Sequence, residues 1–236
     1  IQKYKYTFPQ ERLSIEERLI DIINSENSVT NIYSKTLAIN LLRNYKEIDI
    51  SQVLIANIVH PNHLIRETAA ISLFYKYPAL FDEHTNILRT KIIGLNDIIS
   101  KVRIEDTGTN LLILEKLKLI RSLHLFSDLG YLSLTDLAEN SSEIILKEGE
   151  KLNISVKNKN IIYICLSGFL KAEQDLTVET GEIISAYNNV NGNTELEYIA
   201  EEPTLLLKGQ IYLLNTLFAE NVEFARKLTE NIIHDI

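Results

Sequence analysis

Five histidines, one cysteine and a scatter of carboxylates are the groups in this chain that could do chemistry. His60 and His63 flank Pro61-Asn62 in a loop. Two imidazoles this close could share a zinc ion, but no carboxylate or thiol accompanies them in the loop to complete a ligand set. His84 and His234 have no companion, and His124, set between two leucines, reads as a partly buried residue at a helix end. Cys165 lies in the apolar run Ile161–Leu166 and reads as a small buried hydrophobe. A lone cysteine excludes an intrachain disulfide and fits a reducing, cytoplasmic compartment. Ser167-Gly168 is a tight turn, not the strained elbow of a nucleophilic serine. Asp128 reads as a helix cap and Asp136 as part of a solvated face. Walker, Rossmann and His-Glu-x-x-His patterns are absent. The reading expects no enzyme, no resident metal and no cofactor.

A gap in the basic residues says more. Between Lys171 and Lys208 there is no Lys or Arg, while Glu182, Glu195, Glu197, Glu201 and Glu202 all fall in that interval. A phosphate buried there would meet carboxylates and no cation, an arrangement costing several kcal/mol. The imbalance extends over the second half. Residues 1–110 hold 13 Lys+Arg and 13 Asp+Glu, whereas residues 111–236 hold 11 and 19. An acidic surface repels phosphate backbones over about 8–10 Å, so no nucleic acid is expected as a partner.

The elements that carry these residues change period part-way. At 45% hydrophobic and 24% charged, the chain can build a packed core. No run approaches the ~18 apolar residues of a membrane span, so this segment is not expected to insert. Ser14 and Glu17 form a capping box ahead of a helix over Ile15–Ser25, with Ile15, Leu19, Ile22 and Ile23 on one face. Further helices are expected over Val29–Tyr45, Ile50–His60 and Leu64–Tyr77, the last stopped by Pro78. A weaker pair covers Phe81–Leu95 and Asp97–Ile104. The first two pairs superimpose: Thr36–Leu42 aligns with Thr68–Phe74 at an offset of 32, and Leu19 with Leu54 at 35. Such a period marks an α-solenoid. Leu111–Leu123 is a helix, and Asp128 would cap another over Tyr131–Glu139. From Ile144 the apolar runs become short and β-branched: Ile144–Lys147, Ile154–Val156, Ile161–Leu166, Phe169–Glu173, Ile183–Tyr187, Glu197–Ala200 and Leu205–Leu207. Turn residues separate them, as in a small antiparallel barrel or jelly roll. Helices over Ile211–Leu217 and Val222–Ile236 close the chain.

These motifs carry two resemblances. "HPNHLIRETAAISLF", with Pro61-Asn62 in the turn and the small pair Ala69-Ala70, resembles the turn and second helix of a HEAT repeat. "LEKLKLIRSLHLFSDL", the strand ending "KEGE", and "IYICLSGFLK" resemble the opening of a cyclic-nucleotide-binding domain. In that family a Phe-Gly-Glu turn leads into a short helix. Its glutamate takes the ribose hydroxyl, and an arginine a few residues on neutralises the cyclic phosphate. The corresponding stretch here, Glu182–Ala200, has no Phe-Gly-Glu, and the arginine position falls near Thr194. The resemblance therefore implies a degenerate pocket around Tyr187, Asn189, Gly192, Thr194 and Glu195, with cyclic nucleotide an unlikely partner.

HEAT-like helices followed by such a roll are similar to the cytoplasmic tail of bacterial ATP/ADP translocase-like nucleotide transporters. The opening on Ile1 rather than on methionine reads as a piece of a longer chain. The expectation is an α+β chain of two domains. Residues 1–110 would form a HEAT-like α-solenoid, and 111–236 an antiparallel β-roll of cyclic-nucleotide-binding type flanked by helices. The module would be regulatory, with a protein partner or the rest of its own chain as its target. A ligand-sensing domain and a protein-binding scaffold are the alternatives. Leu111–Leu125 would end the solenoid and begin the roll, so the two halves are expected to unfold together.

Overall fold

The computed structural model describes residues 14–25, 32–45, 47–104, 111–155, 157–172, 176–186 and 195–234. The chain divides into two units, 1–102 and 103–236.

In the first unit the capping box is formed as expected. Ser14 Oγ accepts from Glu17 N–H at 3.1 Å, and the Glu17 carboxylate accepts from Ser14 N–H at 2.7 Å. It starts α1 (Ile15–Asn24), followed by α2 (Ile32–Leu42), α3 (Ser51–Asn57), α4 (His63–Lys76), α5 (Pro78–Leu88) and α6 (Leu95–Ile104). The buried stripe of α1 is narrower than the sequence implies. Leu19 and Ile23 are buried where α1 packs on α2, but Ile15 and Ile22 face solvent. Pro78 also acts differently. It stands at the first position of α5, where a missing N–H costs nothing, so it starts a helix just after α4 has ended.

α4 is the hub. It packs on α2, α3 and α5 and buries nine residues, including Ala69 and Ala70, whose small side chains let its neighbours approach. Asn62 caps it, accepting from Ile65 N–H at 3.2 Å. The loop before α3 is tied to its far end. Lys76 Nζ donates to Ile48 O at 2.9 Å, and Tyr77 Oη accepts from Ile50 N–H at 3.0 Å. Glu67, fully buried on α4, pairs with Lys101 of α6 at 3.4 Å.

In the second unit, α7 (Ile113–Ser122) and α8 (Tyr131–Glu139) pack together around a short 3-10 turn, His124–Phe126. Eight strands follow: β1 (Ser142–Leu146), β2 (Lys151–Ser155), β3 (Ile161–Ser167), β4 (Leu170–Ala172), β5 (Thr177–Val178), β6 (Ile183–Ser185), β7 (Glu195–Ala200) and β8 (Thr204–Gln210). They form two four-stranded antiparallel sheets, ordered β1-β8-β3-β6 and β2-β7-β4-β5. That interleaved order is a jelly roll. Seven of the strands coincide with the apolar runs. β5 has only two residues, too few to show a period. α9 (Ile211–Glu220) and α10 (Val222–His234) complete the unit.

Strand alternation sorts the side chains. Leu146, Leu152, Ile154, Tyr163, Cys165, Leu170, Val178, Ile184, Leu196, Tyr198 and Leu206 point inward and form one apolar core between the sheets. Ile162, Ile164 and Leu207 lie on the opposite side of the first sheet and are equally buried. Two turns fix the register. Gly168 sits at φ 101° between β3 and β4, where a Cβ would come within 2.7 Å of Thr204 Cα. Gly181 sits at φ 100° ahead of β6.

Candidate functional site

Of the five residues expected to line a degenerate pocket, Tyr187, Asn189, Gly192 and Thr194 lie outside the described residues. Glu195 opens β7, opposite Ser155 of β2, with its side chain exposed. What the structure supplies is the frame around them: the end of β6, the start of β7 and the interior of the roll.

That interior is filled. The buried core between the sheets consists of aliphatic side chains, Cys165 and two tyrosines, with no arginine among its described members. Burial raises the Tyr163 and Tyr198 phenols above their ordinary value. Burial, with a smaller contribution from Glu182, pushes the Cys165 thiol up to about 11. Its Sγ lies 3.6 Å from both Ser167 O and Gly168 O. Such a thiol is inert, in keeping with its reading as a small hydrophobe. Glu182 does not offer its carboxylate to the interior. It accepts from Glu179 N–H at 2.6 Å and closes its own turn, while its carbonyl accepts from Cys165 N–H at 2.9 Å. Glu197 pairs with Lys151 across β2 and β7 at 2.7 Å, both partly exposed.

The helices around the roll hold two lysines that the sequence reading passed over. Lys116 of α7 is almost wholly buried. Its Nζ donates to Ser141 O at 2.6 Å and lies 2.9 Å from the Glu143 carboxylate of β1. Lys227 of α10 donates to His124 O at 3.0 Å and Ser127 Oγ at 3.2 Å, and meets Asp128 at 2.6 Å. Beside it the Phe224 ring packs on Phe126 with centroids 5.4 Å apart. The clue for Lys116 was present in the sequence. It stands three residues after Ile113 and four before Ile120, on a stripe that is otherwise buried.

Two expectations for this region are corrected. Asp128 does not cap α8; Gly130 occupies the cap position and makes no side-chain bond. Lys227 claims the Asp128 carboxylate instead and holds it below its ordinary acidity range. His124 is exposed rather than partly buried, since the 3-10 turn directs Leu125 and Phe126 inward in its place. His60 and His63 gather no ligand set, and no group of three metal-binding side chains occurs among the described residues. Burial lowers both histidines' basicity, with nearby cations adding to it: Lys35 at His60, and Arg66 and Lys101 at His63. Asp136 is exposed, as expected.

No protein-family model matches the chain, and no curated protein does. Among solved structures, it is similar to the sensor domain of the transcriptional regulator DNR from Pseudomonas aeruginosa. The identity is 17%, the coverage 51% of this chain and 92% of that one, and the TM-score 0.41. It is also similar to the N-terminal domain of a transcriptional regulator from Streptomyces coelicolor, at 19% identity, 50% and 89% coverage and a TM-score of 0.34. A third likeness is to a cyclic nucleotide-binding domain from Methylobacillus flagellatus, at 16% identity, 52% and 74% coverage and a TM-score of 0.35. With TM-scores this low, the assignment of a jelly roll rests on the strand order and register alone. No helix among the described residues is long and apolar enough to cross a membrane.

Proposed function

We propose that this chain is a non-enzymatic regulatory module whose second unit is a cyclic-nucleotide-binding-like roll that no longer binds cyclic nucleotides. One observation carries the reading. Over the whole interval from Lys171 to Lys208 the sequence supplies no cation, and the described core of the roll contributes only apolar and aromatic side chains. A cyclic phosphate bound there would be desolvated without a counter-charge. The helix–roll–helix order and the opening motif "LEKLKLIRSLHLFSDL" support the family; the missing Phe-Gly-Glu and arginine support the loss.

The first unit is read as a short HEAT-like solenoid. The packing of α2 on α4, each the second helix of its pair, supports this, as does the 32-residue offset of their sequences. The two together are read as the cytoplasmic, protein-facing tail of a transporter-like protein, acting on a partner protein or on the rest of its own chain. The deciding experiment for the roll is calorimetry of the chain with cyclic AMP and cyclic GMP at physiological salt. No heat beyond dilution is expected, and micromolar affinity for either nucleotide would overturn the reading. Hydrophobic spans in the gene upstream of Ile1 would support the transporter tail.

A further inference from the structure

The apolar filling of the roll stops short at one end. On β8, Leu206 belongs to the core, so alternation puts Lys208 and then Gln210 on the same inward side. On β1 the inward Ile144 gives way to Ser142, which pairs directly with Lys208. On β3 the inward Tyr163 also pairs with Lys208, and Ile161 pairs with Gln210. The last inward positions of three adjacent strands are thus an ammonium, a hydroxyl and an amide over an isoleucine. A cleft of about 150 Å³ opens among them, lined by Asn140, Ser142, Ile161, Lys208, Gly209 and Gln210.

The charges around Lys208 leave it available. Glu143 points to the other side of β1, where it pairs with Lys116. Glu197 is held by Lys151. Glu195 is exposed at the start of β7, across the strand pair from Ser155. Among the described residues no carboxylate lies within ion-pair distance of Lys208. The lysine is half-buried at this opening, where partial desolvation strengthens its attraction for an anion. Asn140, on the cleft wall, donates its amide to Asp136 O at 2.9 Å. β6 ends at this same end of the sheet, Ser185 opposite Ile162.

The geometry points to an oxyanion subsite at this mouth: a small phosphate or carboxylate held by Lys208, with Ser142 and Gln210 as hydrogen-bond donors and Ile161 as the floor. The volume admits a group of that size and is too small for a nucleotide. The cation comes from β8, outside the interval whose lack of positive charge argues against a cyclic nucleotide, so this inference and that reading can fail separately.

Two-dimensional NMR of the full chain, titrated separately with inorganic phosphate and with acetate at constant ionic strength, tests it. The amides of Ser142, Gly209 and Gln210 should shift saturably with at least one of the two. Saturation by phosphate alone identifies a phosphoryl group as the ligand, by acetate alone a carboxylate, and by both a shared oxyanion site. Lys208→Gln should weaken the response at least about tenfold, the loss expected for one charge-assisted hydrogen bond. Lys208→Arg should retain it, as should Lys151→Gln on the second sheet. Linear, unsaturated shifts with both anions would overturn the proposal. So would a response that survives Lys208→Gln, or one lost equally in Lys208→Arg and Lys151→Gln.

Discussion

Lys116 and Glu143 have exchanged water for each other, with side chains only 4% and 8% exposed. Removing one partner strands the other charge in the interior, whereas removing both removes the problem. Glu143→Leu should therefore lower unfolding free energy by about 3 kcal/mol. The double variant with Lys116→Met should recover most of that loss, as read by urea denaturation. Cys165 gives a second residue-scale prediction. Its thiol ionises near 11 in the fold, against an ordinary value of 9.0. In that interval the unfolded chain has lost a proton that the folded chain still holds. The corresponding stability is thus complete below pH 9 and lost as pH rises towards 11. Urea unfolding across this window should show a decline that Cys165→Ala flattens. Cys165 was legible in the sequence because an apolar run announces burial. Asp128 was not, because the residue that decides its role, Lys227, lies far along the chain and a local reading sees only a cap-like aspartate before a helix.

α10 shows how one element is held. Phe224 is buried against Phe126, and Lys227 crosses to three acceptors on the segment 124–128. Phe224→Ala should remove about 3 kcal/mol of local stability. Hydrogen exchange should then accelerate in Val222–His234 and around His124–Phe126, while β3 and β8 stay protected. Equal acceleration in the strands would mean that the helix and roll open as one. The helix itself was readable from its amphipathic pattern, but its docking site was not, since the contact is non-local. The same distinction runs through the strands. β1, β3, β7 and β8 follow apolar runs that period alone exposes. β5 consists of Thr177 and Val178 and exists because Leu170 and Lys171 pair with it. The expected pocket was the least legible part. It was placed by resemblance at Tyr187–Glu195, and of its five residues only Glu195 is described, on the surface. Lys208 lay in view at the edge of the cation-free interval but was read only as its boundary.

At the scale of the whole molecule, the change of period near Ile144 correctly separated helices from strands, and helix, roll, helix was the right order for the second half. Which strand pairs with which was beyond it, because no local signal encodes the pairing of β1 with β8. The expectation that the two units unfold together is open to calorimetry. A single transition lowered throughout by Leu117→Asp, which places a charge at a fully buried position of α7, would bear it out. Two transitions, with only one lowered, would show that each unit melts alone. The strand order also has a consequence for how this protein comes into being. Among the described residues, β1 is hydrogen-bonded to no strand earlier than β8, and β2 to none earlier than β7. A chain emerging from the ribosome therefore exposes its apolar β1 and β2 edges until almost the whole second unit has been synthesised. The helices of the first unit, whose contacts are local, can form long before that. The roll is thus completed late in synthesis, and the interval between β2 and β7 is the stretch over which these strand edges wait unpaired.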